Sequence, residues 1–419
     1  GLYISFDAGA SWQRFQLNLP VAPIYDLQVK GSDLVAATHG RSFWILDDLT
    51  PLYQLTDSLT QSETHLFRPR TTLRILPKIF GDGGESAPGK NYASNLGIVA
   101  AYTETTTPEG LKIRKYLDSG QNPPRGVVVT YYLRQQPEGK IGLAFCDSQG
   151  NVIREFFSKD PAEDEPKDES TDNNTSKDET KDKRKELKIP SNVGWDRFVW
   201  DMRYPDVVKL EGTDPPADAV IRGPTVVPGS YQVKLTAGEH TSTESFEIVK
   251  EPSIAATEEE LQAQFDLLLK IHDKTSDTIV ALNRMRDLRQ QLGDWSKRLE
   301  GRPDGQPVAE AAKALQEKVL EIEKTILIPD VKPGWAGALN YGARLLEQLT
   351  DLPQVVGLGD YRPTDQSYAV FEHLSAQIDG QIDRLNDLIA TDLAALNARI
   401  AEAHIPAVVL KEGGAESPS

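Results

Sequence analysis

The opening stretch Gly1-Leu-Tyr-Ile-Ser-Phe-Asp7-Ala-Gly9-Ala-Ser11-Trp12-Gln-Arg-Phe15 decides how the chain is read, because it returns later in altered form. Laid over Ser42-Phe-Trp-Ile-Leu-Asp-Asp48-Leu-Thr-Pro-Leu-Tyr53, it puts Tyr3 on Trp44, Ile4 on Ile45, Asp7 on Asp48 and Trp12 on Tyr53. The offset is a constant 41 residues. Between the copies lie two β-rich runs, Ile24–Val29 and Leu34–Thr38, separated by the turn signal Lys30-Gly-Ser-Asp33. Four short strands in a period of about 40–45 residues is the spacing of a β-propeller blade. Residues 1–15 therefore read as the outer half of one blade, and 24–56 as a complete last blade. The chain opens without Met and already inside a strand pattern. It is expected to be the back part of a longer polypeptide, with any export signal upstream.

Inside the first copy, Asp7 is placed to accept backbone N–H groups of a hairpin turn, and Gly9 permits a positive φ. Trp12 opens the next strand and is expected to bury its ring between neighbouring blades. The segment Ser5-Phe-Asp7-Ala-Gly9-Ala-Ser11-Trp12 resembles the Asp-box, S-x-D-x-G-x-[ST]-W, of sialidase-repeat (BNR) and sortilin-type propellers. In those families the box is structural, so the resemblance makes Ser5, Asp7, Gly9, Ser11, Trp12 and Asp48 fold elements rather than sites. The second copy has degenerated: Thr50 stands where Gly9 was, and Leu52 where Ser11 was. Further on, Ala-Ala-Thr38-His39-Gly40-Arg41-Ser42-Phe-Trp44-Ile-Leu-Asp47-Asp48 is similar to a stretch of bacterial proteins labelled BNR-repeat glycosyl hydrolases. The likeness continues through Gly194-Trp-Asp-Arg-Phe-Val-Trp-Asp-Met-Arg-Tyr-Pro205 and the C-terminal helices, omitting a charged insert. It implies an extracellular or periplasmic location, and a glycan or protein ligand held by the intact propeller.

Glycoside hydrolysis usually needs two carboxyl groups about 5–9 Å apart across a sugar. Asp47 and Asp48 are adjacent, and neighbouring strand residues point to opposite faces, so they cannot flank one bond. Asp48 is also accounted for by the repeat. In sialidases and family 74 glycoside hydrolases, which the propeller resembles, the catalytic acids come from other blades. No catalytic residue is assigned within this chain. His39 and Arg41 fall in the turn between two inner strands, where propellers place ligand-facing loops. With Trp44 they form a candidate contact for an anionic or sugar ligand. The alternative is a plain turn in which Gly40 supplies backbone freedom and Arg41 pairs with a neighbouring carboxylate.

The charge balance, 46 basic against 63 acidic groups and a net −17, is unsuited to holding a phosphate backbone. No apolar run approaches the roughly 20 residues of a membrane-spanning helix. The single cysteine, Cys146, excludes an internal disulfide and any multi-cysteine metal site. The six histidines, at 39, 65, 240, 272, 373 and 404, form no ligand-spaced pair, so no metal is expected. G-x-S-x-G, P-loop and G-x-G-x-x-G motifs are missing, and no cofactor is implied.

The remainder reads as a multidomain β + α chain. Residues 57–126 form a connector, with an edge strand His65–Ile79 broken by Pro69 and Pro77 and a long surface loop at 81–125. From Val127 the period is two: Val127, Val129, Tyr131 and Leu133 share a face, as do Ile141, Leu143 and Phe145, then Phe198, Trp200, Met202 and Tyr204. Tyr231, Val233 and Leu235 follow Pro228-Gly229, and a last strand carries Phe246 and Ile248. These predict an antiparallel β-sandwich over 127–252, with Trp200 in its core. The order of its turns is similar to the Ig-like module of flagellar hook-cap proteins. Residues 159–188, nearly devoid of apolar side chains, predict a disordered charged insert. After Pro252 the pattern is helical over 253–410. Helices are expected from the capping signal Thr257-Glu-Glu-Glu260 to Trp295, over Val308–Ile326, over Trp335–Leu349 and from Thr364 to about His404. Their apolar stripes read as seams of a bundle, or as a groove for a partner. Residues 411–419 are a tail. The functional expectation is a non-catalytic structural or interaction region of an exported propeller protein. The alternative is part of a glycoside hydrolase whose acids lie on missing upstream blades.

Overall fold

A computed structural model describes residues 1–56, 59, 62–75, 89–95, 98–107, 112–117, 120, 122–160, 187–211, 222–299, 302, 305–328 and 342–403. Most of the charged insert, at 161–186, lies outside them, as do 329–341, 404–410 and the 411–419 tail. The chain is a multidomain mixture of antiparallel sheets and helices. It divides into two units: 1–205 with 225–258, and 206–224 with 259–419.

The first unit opens with a hairpin, β1 (Tyr3–Ile4) against β2 (Gln13–Arg14). Three strands follow, β3 (Ile24–Lys30), β4 (Asp33–Thr38) and β5 (Phe43–Leu46), as an antiparallel sheet in sequence order. The fourth strand expected near Tyr53 does not form. In its place stands a helical turn, α1 (Thr50–Tyr53), with Pro51 in its first turn. Proline lacks the N–H a ladder needs and suits a helix start, which explains the switch.

The expected edge strand His65–Ile79 is two strands in two sheets. β6 (Thr64–Leu66) pairs antiparallel with Tyr131–Leu133, and β7 (Thr72–Arg74) runs parallel to Ile248–Lys250; residues 76–79 lie outside the described set. The long loop expected at 81–125 is likewise corrected. It carries β8 (Gly89–Asn95), β9 (Ile98–Thr106) and β10 (Lys112–Tyr116), a three-stranded antiparallel sheet. Arg114 sits opposite Glu104, bonds it at 2.8 Å and lies over the Tyr102 ring.

The period-two strands are β11 (Val127–Leu133), β12 (Ile141–Cys146), β13 (Val152–Phe157), β14 (Gly194–Trp200), β15 (Gly229–Ala237) and β16 (His240–Lys250). β14 stops at Trp200, short of the expected Met202 and Tyr204, because Met202 turns the backbone to φ 61°. They make a sheet of order β14-β11-β6 and another of order β13-β12-β15-β16-β7. Both sheets contribute to one apolar core, including Val129, Leu143, Phe198, Val233 and Ile248. Trp200 is fully buried there, stacked on Phe145 at 4.4 Å, and its indole N–H donates to Arg203 O. Gly126, at φ 134°, enters this core so closely that a Cβ would meet Trp200 O at 2.2 Å.

The second unit holds α2 (Glu258–Arg298), α3 (Gln306–Ile326), α4 (Leu345–Val356) and α5 (Asp365–Leu388). A π-turn (Ile389–Leu393) leads into α6 (Ala394–Glu402). Of the expected helix Trp335–Leu349, residues 335–341 lie outside the described set, and the described part enters α4, which begins at Leu345 and runs on to Val356. Thr364 caps α5 by accepting Ser367 N–H. Two seams hold the helices: Leu282, Met285, Leu315, Ile322 and Leu385 in one, Ile271, Leu349, Leu374 and Ile378 in the other. Glu323, wholly buried on α3, is bracketed by Arg286 and Arg289 of α2. Asn283 fixes a strap to α2, accepting Glu211 N–H and donating to Lys209 O.

Candidate functional site

The turn between β1 and β2 is built almost wholly from side chains within four residues of one another. Ser11 N–H and Ser11 Oγ donate to the two oxygens of Asp7 at 2.8 and 2.5 Å, and Ser5 Oγ donates to Asp7 Oδ1 at 2.8 Å. Gly9 N–H donates to Ser5 Oγ at 2.7 Å, with Gly9 at φ 92°. Donors converging on a carboxylate favour its charged form, so Asp7 is lowered to about 2, chiefly by Ser11 and then by Ser5. Ser5, Asp7, Gly9 and Ser11 are therefore brought together in one turn. Trp12 is not buried: it is 63% exposed, with its ring beside Gly9.

The second copy reuses the aspartate differently. Asp48 adopts φ 66° and accepts Thr50 N–H and Oγ1, holding the start of α1 instead of a hairpin. Its own N–H donates to Asp33 Oδ1 at 2.8 Å, and Arg70 donates to the same oxygen at 2.8 Å. Asp47 lies in the same neighbourhood. Burial first, and then the Asp33 carboxylate, push its pKa up, while Arg70 and Arg197 act the other way. The cluster of Asp33, Asp47, Asp48, Arg70 and Arg197 was not read from the sequence as a group. The available signal was Phe67-Arg-Pro-Arg70, two arginines in a segment too proline-bound to be helical. Chemically it is a tie, since Asp33 Oδ1 already accepts two donors, Asp48 N–H and Arg70.

His39, Gly40 and Arg41 occupy the β4–β5 turn and are exposed. His39 rests on the Tyr25 ring at 4.9 Å, and Thr38 donates through N–H and Oγ1 to Ser42 O. Arg41 donates to Gly40 O, and Trp44 Nε1 donates to Arg41 O at 2.9 Å. The guanidinium thus meets a carbonyl of its own turn, not the carboxylate the sequence reading paired it with. Trp44 is half-buried and, while its Nε1 bonds Arg41 O, lines a cavity of about 40 Å³ with Leu2, Phe15, Leu34 and Ala36. Ligand pockets run to roughly 300–1,000 Å³, so this space holds no sugar ring.

A second aromatic group crosses the outer face of β14-β11-β6, where Trp195, Tyr132 and His65 are cross-strand neighbours. Phe67 stacks under Trp195 at 4.6 Å, and burial lowers the His65 pKa. Among the described residues no group of three or more His, Cys, Asp or Glu is arranged to hold a metal, and no helix is long and apolar enough to cross a membrane.

What the first 53 residues do offer is uncovered apolar surface. Tyr3, Phe6, Trp12, Tyr25, Phe43 and Ile45 are all more than half exposed. No family model, curated protein or solved structure matches the chain.

Proposed function

We propose that residues 1–56 are closing blades of a larger Asp-box β-propeller. In this reading the two sheets that share a core form an Ig-like sandwich, and the chain is a non-catalytic structural and interaction region of an exported bacterial protein. The observation that carries the reading is apolar side chains left open on both faces of the β3–β5 sheet. Cross-strand partners share a face, so Val35, Phe43 and Ile45 stand on one side and Leu27, Val29 and Trp44 on the other. Phe43, Ile45, Leu27 and Val29 are exposed. A propeller blade is covered on both faces by its neighbours, whereas a single-sided sheet needs cover on one only. The turn at Ser5–Ser11 supports the same reading, since Asp7 accepts a backbone N–H within it and Gly9 takes a positive φ.

Hydrolysis screens on polysaccharides and sialosides test the non-catalytic part. No turnover is expected. Turnover that co-purifies with the chain and disappears in Asp47→Asn would overturn it in favour of a glycosidase.

A further inference from the structure

The two copies of the repeat differ in one respect that points to a partner. In the first copy β1 is paired on its outer side: Phe15 N–H donates to Leu2 O at 2.8 Å, and Leu2 is buried. The offset of the repeat makes Phe43 the counterpart of Leu2 and Ile45 that of Ile4. In the second copy β5 ends its sheet, and among the described residues no strand pairs with its outer side. The Thr38 N–H bond to Ser42 O sets the alternation of the ladder. It turns the backbone of Trp44 and Leu46 toward β4, and the N–H and C=O groups of Phe43 and Ile45 outward. The side chains of these two residues are 73% and 59% exposed. The segment that would have filled the place, Thr50–Tyr53, is held in a helical turn by Asp48 and Pro51.

We infer that the outer edge of β5 accepts an extended strand from outside this chain, running antiparallel and presenting an aromatic residue opposite Phe43. The chemistry of the occupant comes from the first copy, where Leu2 faces Phe15, Tyr3 faces Arg14 and Ile4 faces Gln13. Main-chain hydrogen bonds at Phe43 and Ile45 supply the pairing, and an aromatic cross-strand neighbour covers Phe43. The opposite edge of the sheet is less suited, because on β3 the Leu27 N–H is already taken by Asp26 Oδ1. The inference rests on the repeat and the open edge, and it stands whether or not a propeller is completed.

The test uses the whole chain and a peptide copying Ser11–Leu19, with a scrambled peptide as control. Amide hydrogen exchange is followed at Phe43 and Ile45. The copied peptide is expected to slow both amides by about tenfold or more, with Leu27 and Val29 unchanged. Ile45→Pro, which removes one donor from the edge, is expected to abolish the effect while the α2 amides exchange as before. Four results would overturn the inference: no slowing at roughly 1 mM peptide; equal slowing by the scrambled peptide; slowing at the β3 edge instead; or peptide-free slowing that grows with protein concentration, which would assign the edge to a second copy. A failed peptide test leaves the propeller proposal standing, and glycan turnover leaves the peptide result standing.

Discussion

Strands β11 and β3 are each seven residues long and rich in apolar side chains, yet they end in opposite circumstances. In β11 (VVVTYYL) six of the seven residues are buried; in β3 (IYDLQVK) six of seven are exposed. The difference is not composition alone. β11 lies between β14 and β6 and faces a second sheet across a shared core, whereas β3 is an edge strand whose residues stay exposed. Apolar alternation specifies that a face wants cover. It does not supply the cover.

The contrast between covered and open strands is greatest at Trp200. Trp200→Ala should cost about 3–5 kcal/mol in urea unfolding of the first unit, by loss of burial and the cavity left behind. Phe43→Ala, an aromatic truncation on the exposed sheet, should stay within about 0.5 kcal/mol. Equal costs would mean that the two regions are not covered differently. Next in size, Gly126→Ala should destabilise the same core by about 1–3 kcal/mol, because its positive φ and the approach of Trp200 O both resist a Cβ. A melting temperature unchanged by that substitution would show that the entry to β11 relaxes freely.

Smaller effects belong to the opening residues. Asp7 is lowered from 3.8 to about 2, so its stabilisation of the turn is fully present above about 4 and is lost as pH falls through 2. Asp7→Ala should abolish that acid transition and broaden the Trp12 indole resonance, with Trp200 unaffected. Asp47 has the opposite sign. Its raised pKa means the folded state binds the proton more readily, so its ionisation weakens the fold as pH rises. Asp47→Asn should therefore be neutral or slightly stabilising at pH 7, and a clear loss of stability there would show that the charge is needed by Arg70 or Arg197.

Much of the fold was legible where the cause of structure is local. The Ser5–Ser11 turn closes through hydrogen bonds between residues at most four apart, so a short motif contains the whole of it. The helices α2 and α3 and the strands β11 to β16 were legible from period alone. Three features were not. The strands β8 to β10 were hidden by Gly, Asn and Thr in the surrounding sequence, although Ile98-Val-Ala-Ala-Tyr102 and the later pairing of Glu104 with Arg114 carried the signal. The loss of the fourth strand at Tyr53 was hidden because the repeat suggested a hairpin while Pro51 favoured a helix start. The Asp33–Asp47–Arg70–Arg197 cluster joins residues far apart in sequence, and no spacing rule reaches that distance.

By itself the sequence determined the Asp7-centred turn, the alternation of the strands and the stripes of the helices, because each follows from neighbours a few bonds away. Tertiary structure alone decided that β7 runs parallel beside β16, that Asp33 is tied to Arg70, and which apolar faces are covered and which stand open. Those outcomes depend on which distant segments meet, and the free energy of burial is indifferent to the order in which the buried groups occur along the chain.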